Sequence, residues 1–178
     1  IRKEAGYAGV RVIVHGEIAR AHCRTQIDIG FGDAVTPAPV KATYPVLLPD
    51  MEAPRLRTYP AHTVVAEKLH AIALLGMTNS RMKDYFDLSV ILDRENLDTD
   101  TLASAISATF DRREMSLPTT LPIGLSDEFA NDTTRQNLWR AFLRKNDLKA
   151  VTLQEIIATL RTKLEPVLAR AHNHQRTR

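Results

Sequence analysis

The chain has a single cysteine, Cys23. One thiol closes no internal disulfide, and nothing in the cysteine usage points to an oxidising compartment. No apolar run approaches the roughly 20 residues needed to span a bilayer, and the N-terminus carries no signal-peptide pattern. No membrane association is therefore expected, and the expected location is cytoplasmic. No phosphate-cradling glycine loop is present, since GFGD at 30–33 is too short for one. The histidines do not assemble a metal site: Glu67 with His70 supplies one Glu-x-x-His pair where di-iron bundles require two. Cys23 has no partner arrangement that suggests a nucleophile. Low-complexity tracts and internal repeats are missing as well.

What remains is a chain able to fold. At 178 residues and 44% hydrophobic it can bury a real core, as one domain or two small ones. With 24 basic and 21 acidic residues the formal charge is +3, and the sequence pI is near 9.2. That excess tolerates a polyanionic partner without demanding one. The chain opens on Ile1 rather than methionine, which reads as a fragment, a processed product or a trimmed form.

Hydrophobic periodicity divides the chain. Residues 10–18 and 24–32 alternate as strands, the second placing Ile27, Ile29 and Phe31 on one face and Asp28 on the other. Segments 39–48 and 55–59 read as further extended pieces, with prolines that confine them to edges or loops. From Pro60 the period becomes helical. Pro60 suits a first turn, Gly76 a helix end, and Asn79 or Ser80 a cap for the next helix. A third helix is expected over about 99–110, a connector over 115–124, and a helical region over 126–145 broken near Asn131. A last helix opens with the Thr152–Glu155 capping box and is expected to kink or shorten at Pro166. Strands first and helices later make the fold α+β, divided at 1–59 and 60–178.

Two adjoining segments carry the candidate chemistry. In TVVAEKLHAIALLG at 63–76 the residues Val64, Val65, Leu69, Ile72 and Leu75 form an apolar arc with Lys68 inside it. Such a lysine either snorkels, its stem covering core edge, or serves as a compact charge for phosphate oxygens. In NSRMKDYFDLSVIL at 79–92, Asp84 and Asp87 lie three apart on the polar side. They are either a solvated face, with Lys83 and Asp87 as an ordinary surface ion pair, or carboxylates that position Lys68 or accept a proton from an attacking hydroxyl. Asp28, a carboxylate in mid-strand, is a candidate carrier of Mg²⁺, although a single carboxylate holds that ion poorly.

The order of these elements resembles the AbiEii/AbiGii nucleotidyl transferases of abortive infection, the toxin half of type IV toxin–antitoxin pairs. QIDIGFGDAV at 26–35, YPVLLP at 44–49, TYPAHTVVAEKLHAI at 58–72 and NSRMKDYFDL at 79–88 carry the likeness. The resemblance implies a partial polymerase-β-like nucleotidyltransferase sheet followed by a C-terminal helical bundle, with NTP and Mg²⁺ at the junction. It implies Lys68 at the nucleotide phosphates, with Arg81 beside it, Asp84 and then Asp87 as catalytic support, and Asp28 in the metal set. The implied reaction transfers a nucleoside monophosphate from NTP to an RNA hydroxyl, such as the tRNA acceptor end, and implies a cognate antitoxin.

The Gly-Ser segment and Asp-x-Asp strand of that family have no counterpart in these residues and are expected upstream of Ile1. The chain is accordingly expected to be weakly active or inactive alone. The alternatives are a non-catalytic remnant that binds a nucleotide or a protein, and a nucleotidyltransferase acting on a small-molecule hydroxyl.

Overall fold

The computed structural model describes residues 9–176. Two compact units divide between Asp33 and Ala34. The second pair of strands falls in the same unit as the helices.

The first unit contains an antiparallel hairpin of β1 (Gly9–Ile18) and β2 (Ala21–Gly30), joined at Ala19–Arg20, with Ala19 at φ 55°. Positive φ at the first turn position matches the twist that two-residue hairpin turns require. The register pairs Val12 with Ile27 and Val10 with Ile29, so one face is aliphatic, as the alternation predicts. The other face pairs Arg11 with Asp28 and His15 with Arg24.

In the second unit, β3 (Val40–Thr43) and β4 (Arg55–Thr58) form a separate antiparallel ribbon. Each unit thus has its own two-stranded ribbon among the described residues. Among the described residues six α-helices follow: α1 (Ala61–Leu75), α2 (Met82–Arg94), α3 (Thr99–Arg112), α4 (Asp127–Asn131), α5 (Thr133–Lys145) and α6 (Leu153–Arg176). The fold is α+β, as expected.

Helix starts follow local chemistry. Asp98 accepts from the Thr101 amide at 2.8 Å, Ser126 from Phe129 at 3.2 Å, and Asp132 from Arg135 at 2.9 Å. Thr152 and Glu155 close the reciprocal capping box: the Thr152 amide donates to Glu155 at 2.7 Å and the Glu155 amide to the Thr152 hydroxyl at 3.2 Å. Two expectations need correction. Pro166 does not end α6, which continues to Arg176, carried by a buried stripe of Leu153, Ile157, Leu160, Leu164, Leu168 and Ala171. Neither Asn79 nor Ser80 stands at the cap of α2; Arg81 holds the N-cap, without a side-chain capping bond.

The core is helical and centres on Trp139, Tyr85, Phe110 and Phe129. Tyr85 stacks on Phe129 at 5.2 Å between ring centroids, and the Trp139 indole N–H donates to the Val151 carbonyl at 2.7 Å. Gly124 allows the chain after α3 to press against α1 and α2. A Cβ there would stand 2.7 Å from Ile72 Cγ2 and 3.0 Å from the Tyr85 hydroxyl. Among the described residues no helix is long and apolar enough to cross a membrane.

Candidate active site

Helix α1 is buried over a broader arc than its apolar residues predict. Thr63, Ala66 and His70 are buried alongside Val65, Leu69 and Ile72, while Val64 and Leu75 are only partly buried. Lys68 occupies the margin of this arc. A short 3-10 turn at Gly76–Thr78 reverses the chain, and Gly76 takes φ 49° to end α1. The wholly buried Asn79 then shapes the approach to α2: its Oδ1 accepts from the Arg81 amide at 2.8 Å, and its amide donates to the Tyr85 hydroxyl at 3.4 Å. The Arg135 guanidinium of α5 reaches the Met77 carbonyl with two N–H groups, satisfying an acceptor in the turn itself.

The consequence is a three-residue cluster. Lys68 Nζ lies 2.7 Å from Asp84 Oδ1 and 2.8 Å from Asp87 Oδ2. The three side chains are 18%, 16% and 21% exposed respectively, so the carboxylates are not the solvated face that their spacing allowed. They turn toward α1 and hold the ammonium group between them. Of the two readings open for Lys68, free snorkelling does not occur. Lys83 also pairs with Asp87, at 2.5 Å, as its four-residue spacing suggests. Arg81 Nε lies 4.0 Å from Asp84 and keeps 58% of its side chain exposed, so its charge stands at the open edge of the cluster.

Electrostatics fix the protonation state. Burial works against the Lys68 charge, but hydrogen bonds and attraction from Asp84 and Asp87 outweigh it, and the pKa stands above the ordinary lysine value. Burial likewise disfavours the Asp87 anion, yet Lys68 and Lys83 together hold its carboxyl below the usual value. Lys68 is thus a permanent cation near neutrality, unsuited to act as a base and suited to meet anionic oxygens.

Asp28 belongs to the other unit. Its carboxylate accepts from Arg11 at 2.5 and 3.1 Å and from Gln26 at 3.0 Å. A mid-strand carboxylate that turn chemistry leaves unexplained thus has a partner directly across the hairpin. Among the described residues no three His, Cys, Asp or Glu side chains are grouped to hold a metal ion. Donor groups already committed to Arg11, Lys68 and Lys83 do not make a divalent-cation site by themselves.

Sequence reasoning weighed His70 only as a metal ligand, and did not single out His70 or Asn79 as buried residues, or Arg135 at all. Nothing in their spacing marks them, because each acts through a contact with another element. A hollow lined by Phe86, Ser89, Leu148, Val151 and Ile156 contains none of the site residues.

A comparison with curated proteins gives no match. The family model for the nucleotidyl transferase AbiEii toxin of type IV toxin–antitoxin systems matches residues 1–165, which include both motif segments and five of the six helices entirely. The chain belongs to the AbiEii nucleotidyl transferase toxin family.

Proposed function

We propose that the chain serves a cytoplasmic, Mg²⁺-dependent nucleotidyltransferase toxin that transfers a nucleoside monophosphate from NTP to a hydroxyl of RNA, tRNA among the candidates, under restraint by a cognate antitoxin. The observation that carries this reading is the capture of Lys68 by Asp84 and Asp87, which joins the EKLHA and RMKDYFDL motifs into one charged cluster.

Lys68 supplies a positive charge for the triphosphate, and Arg81 adds a second at the open edge. In the transfer the attacking hydroxyl oxygen bonds to the α-phosphorus, the α–β bridging P–O bond breaks, pyrophosphate leaves with the bond's electron pair, and the hydroxyl proton passes to solvent water. A fixed ammonium beside the leaving oxygens favours that charge redistribution without reorganising. Asp84 and Asp87 are positioning residues here. A carboxylate depressed in pKa and bonded to lysine is a weak proton acceptor, so Asp87 orients Lys68 rather than serving as the general base. The divalent ion enters through the family. The described residues do not form its site, and no step is assigned to Asp28.

The test measures NTP binding by calorimetry and labelled-NMP transfer to tRNA with and without Mg²⁺. Lys68→Ala is expected to weaken NTP binding at least tenfold and to lower transfer by about 10²–10³, the range for removal of one pre-aimed transition-state donor. Wild-type NTP binding and transfer in the variant would overturn the reading. A non-catalytic nucleotide- or protein-binding module is the second reading, favoured by engagement of both Asp28 carboxylate oxygens within the hairpin. It expects NTP affinity that is indifferent to Mg²⁺, and no transfer.

A further inference from the structure

The β3–β4 ribbon is charged in a way its own stability does not explain. Lys41 stands directly opposite Arg57, and Thr43 opposite Arg55. Cross-strand partners share a face, and residues two apart on a strand share it too. One side of this two-stranded ribbon therefore presents Lys41, Arg55 and Arg57 together with the Thr43 hydroxyl. All four residues are exposed. Like charges placed directly opposite each other destabilise a strand pair. Among the described residues no carboxylate bonds to any of the three cations; Asp50 and Glu52 lie in the connecting loop and make no ion pair with them.

The spacing is regular. Cations two apart along β4 are separated by about 6.8 Å, and the opposed pair by about 5 Å between Cβ atoms. That is a short row of positive points along an extended edge, suited to a linear polyanion. Tyr59 follows β4 directly and is 47% exposed. An anionic lipid surface is less well matched, because the apolar loop that would enter it, with Leu47 fully exposed, also carries Asp50 and Glu52. The ribbon leads through Tyr59 and Pro60 straight into α1, and the preceding segment is tied to that helix where Thr63 Oγ1 donates to the Thr36 carbonyl at 2.9 Å and accepts from its amide at 3.1 Å.

We infer that the Lys41/Arg55/Arg57 face of the β3–β4 ribbon binds the phosphate backbone of the acceptor RNA. The inference rests on the proposed RNA-directed transfer and adds to it the surface that holds the acceptor, apart from the Lys68 cluster that would hold NTP.

The experiment follows binding of a labelled tRNA to the full chain by fluorescence anisotropy between 50 and 200 mM salt. The Lys41→Ser/Arg55→Ser/Arg57→Ser variant is expected to bind at least tenfold more weakly, with the salt slope reduced by about 2, three phosphate contacts at roughly 0.7 each on single-stranded RNA. Lys41→Glu guards against a folding artefact, since it gives Arg57 an opposite charge and steadies the ribbon while removing RNA affinity. Unchanged affinity and slope in the triple variant would overturn the inference, as would ribbon-dependent binding to anionic vesicles or to an acidic protein without RNA binding. Lys68→Ala separates the two proposals. If it loses NTP binding while the triple variant keeps RNA, the ribbon inference alone fails. If it keeps NTP binding and transfer while the triple variant loses RNA, the catalytic reading alone fails.

Discussion

The His70 imidazole meets the Phe110 ring edge-on, with centroids 5.1 Å apart and planes inclined at 76°. This contact joins α1 to α3 inside the core, where His70 is 3% exposed and its Nε2 has no hydrogen-bond partner among the described residues. Burial, with a smaller contribution from the Arg113 charge, pushes the imidazole pKa down to about 4.

An acid-sensitive stability follows. The folded pKa lies below the unfolded one, so the unfolded chain takes up the proton first. Stability is unaffected by this residue above about pH 6.5 and falls as pH drops from there toward 4, by roughly 3 kcal/mol in all at 1.36 kcal/mol per unit. Urea unfolding at pH 7.5 and 4.5 is expected to show the loss, and His70→Leu to flatten most of the slope. An equal slope in His70→Leu would place the acid sensitivity elsewhere.

Lys68→Ala removes the shared partner of two carboxylates and leaves Asp84 and Asp87 facing each other. The expected destabilisation is about 2 kcal/mol, the scale of a charged hydrogen bond lost from a half-buried site. Asp87→Asn in the Lys68→Ala background should cost less than it does alone, because there it relieves the Asp84–Asp87 repulsion that loss of the lysine exposes. Denaturant midpoints for the four proteins measure that coupling, and strict additivity would mean that Lys68 and Asp87 do not interact in solution.

The Asp87 contribution also depends on pH, in the sense usual for a depressed carboxylate. It is fully present above the ordinary aspartate value near 3.8 and is lost as pH falls through the lower folded value. Comparing wild type with Asp87→Asn should therefore show a stability gap at pH 7 that narrows only in strong acid. A gap that closes already near pH 6 would point to His70 or another histidine instead.

Gly124→Ala places a Cβ 2.7 Å from Ile72 Cγ2 and 3.1 Å from the Ile72 carbonyl. The backbone must retreat, at an expected cost of about 1–3 kcal/mol for overpacking. Thermal melting reports the loss directly. Because the same Cβ crowds the Tyr85 hydroxyl, NTP binding should weaken as α2 shifts relative to α1.

The sequence carried the helical part of this fold further than the candidate site. Asp98, Ser126, Asp132 and the Thr152–Glu155 pair start helices through contacts spanning three residues, and such contacts are visible in any local window. Pro166 misled for the complementary reason. One missing amide argues for a break, but the run from Leu153 to Ala171 buries enough apolar surface for the helix to continue. Asp28 looked anomalous within its own strand because its partner, Arg11, is 17 residues away.

By itself the sequence determined that Lys68 breaks an apolar pattern, that Asp84 and Asp87 share a helix face, and that the two segments form a motif pair. Those are properties of spacing, and helical period makes spacing legible. Only tertiary structure decided that the two helices turn these charges toward each other. That outcome depends on the φ of Gly76, the buried amide of Asn79 and the reach of Arg135 to Met77. Likewise the Lys41–Arg57 opposition exists only once β3 and β4 adopt their register. Pairing across elements is a matter of geometry between distant residues, and no local period encodes it.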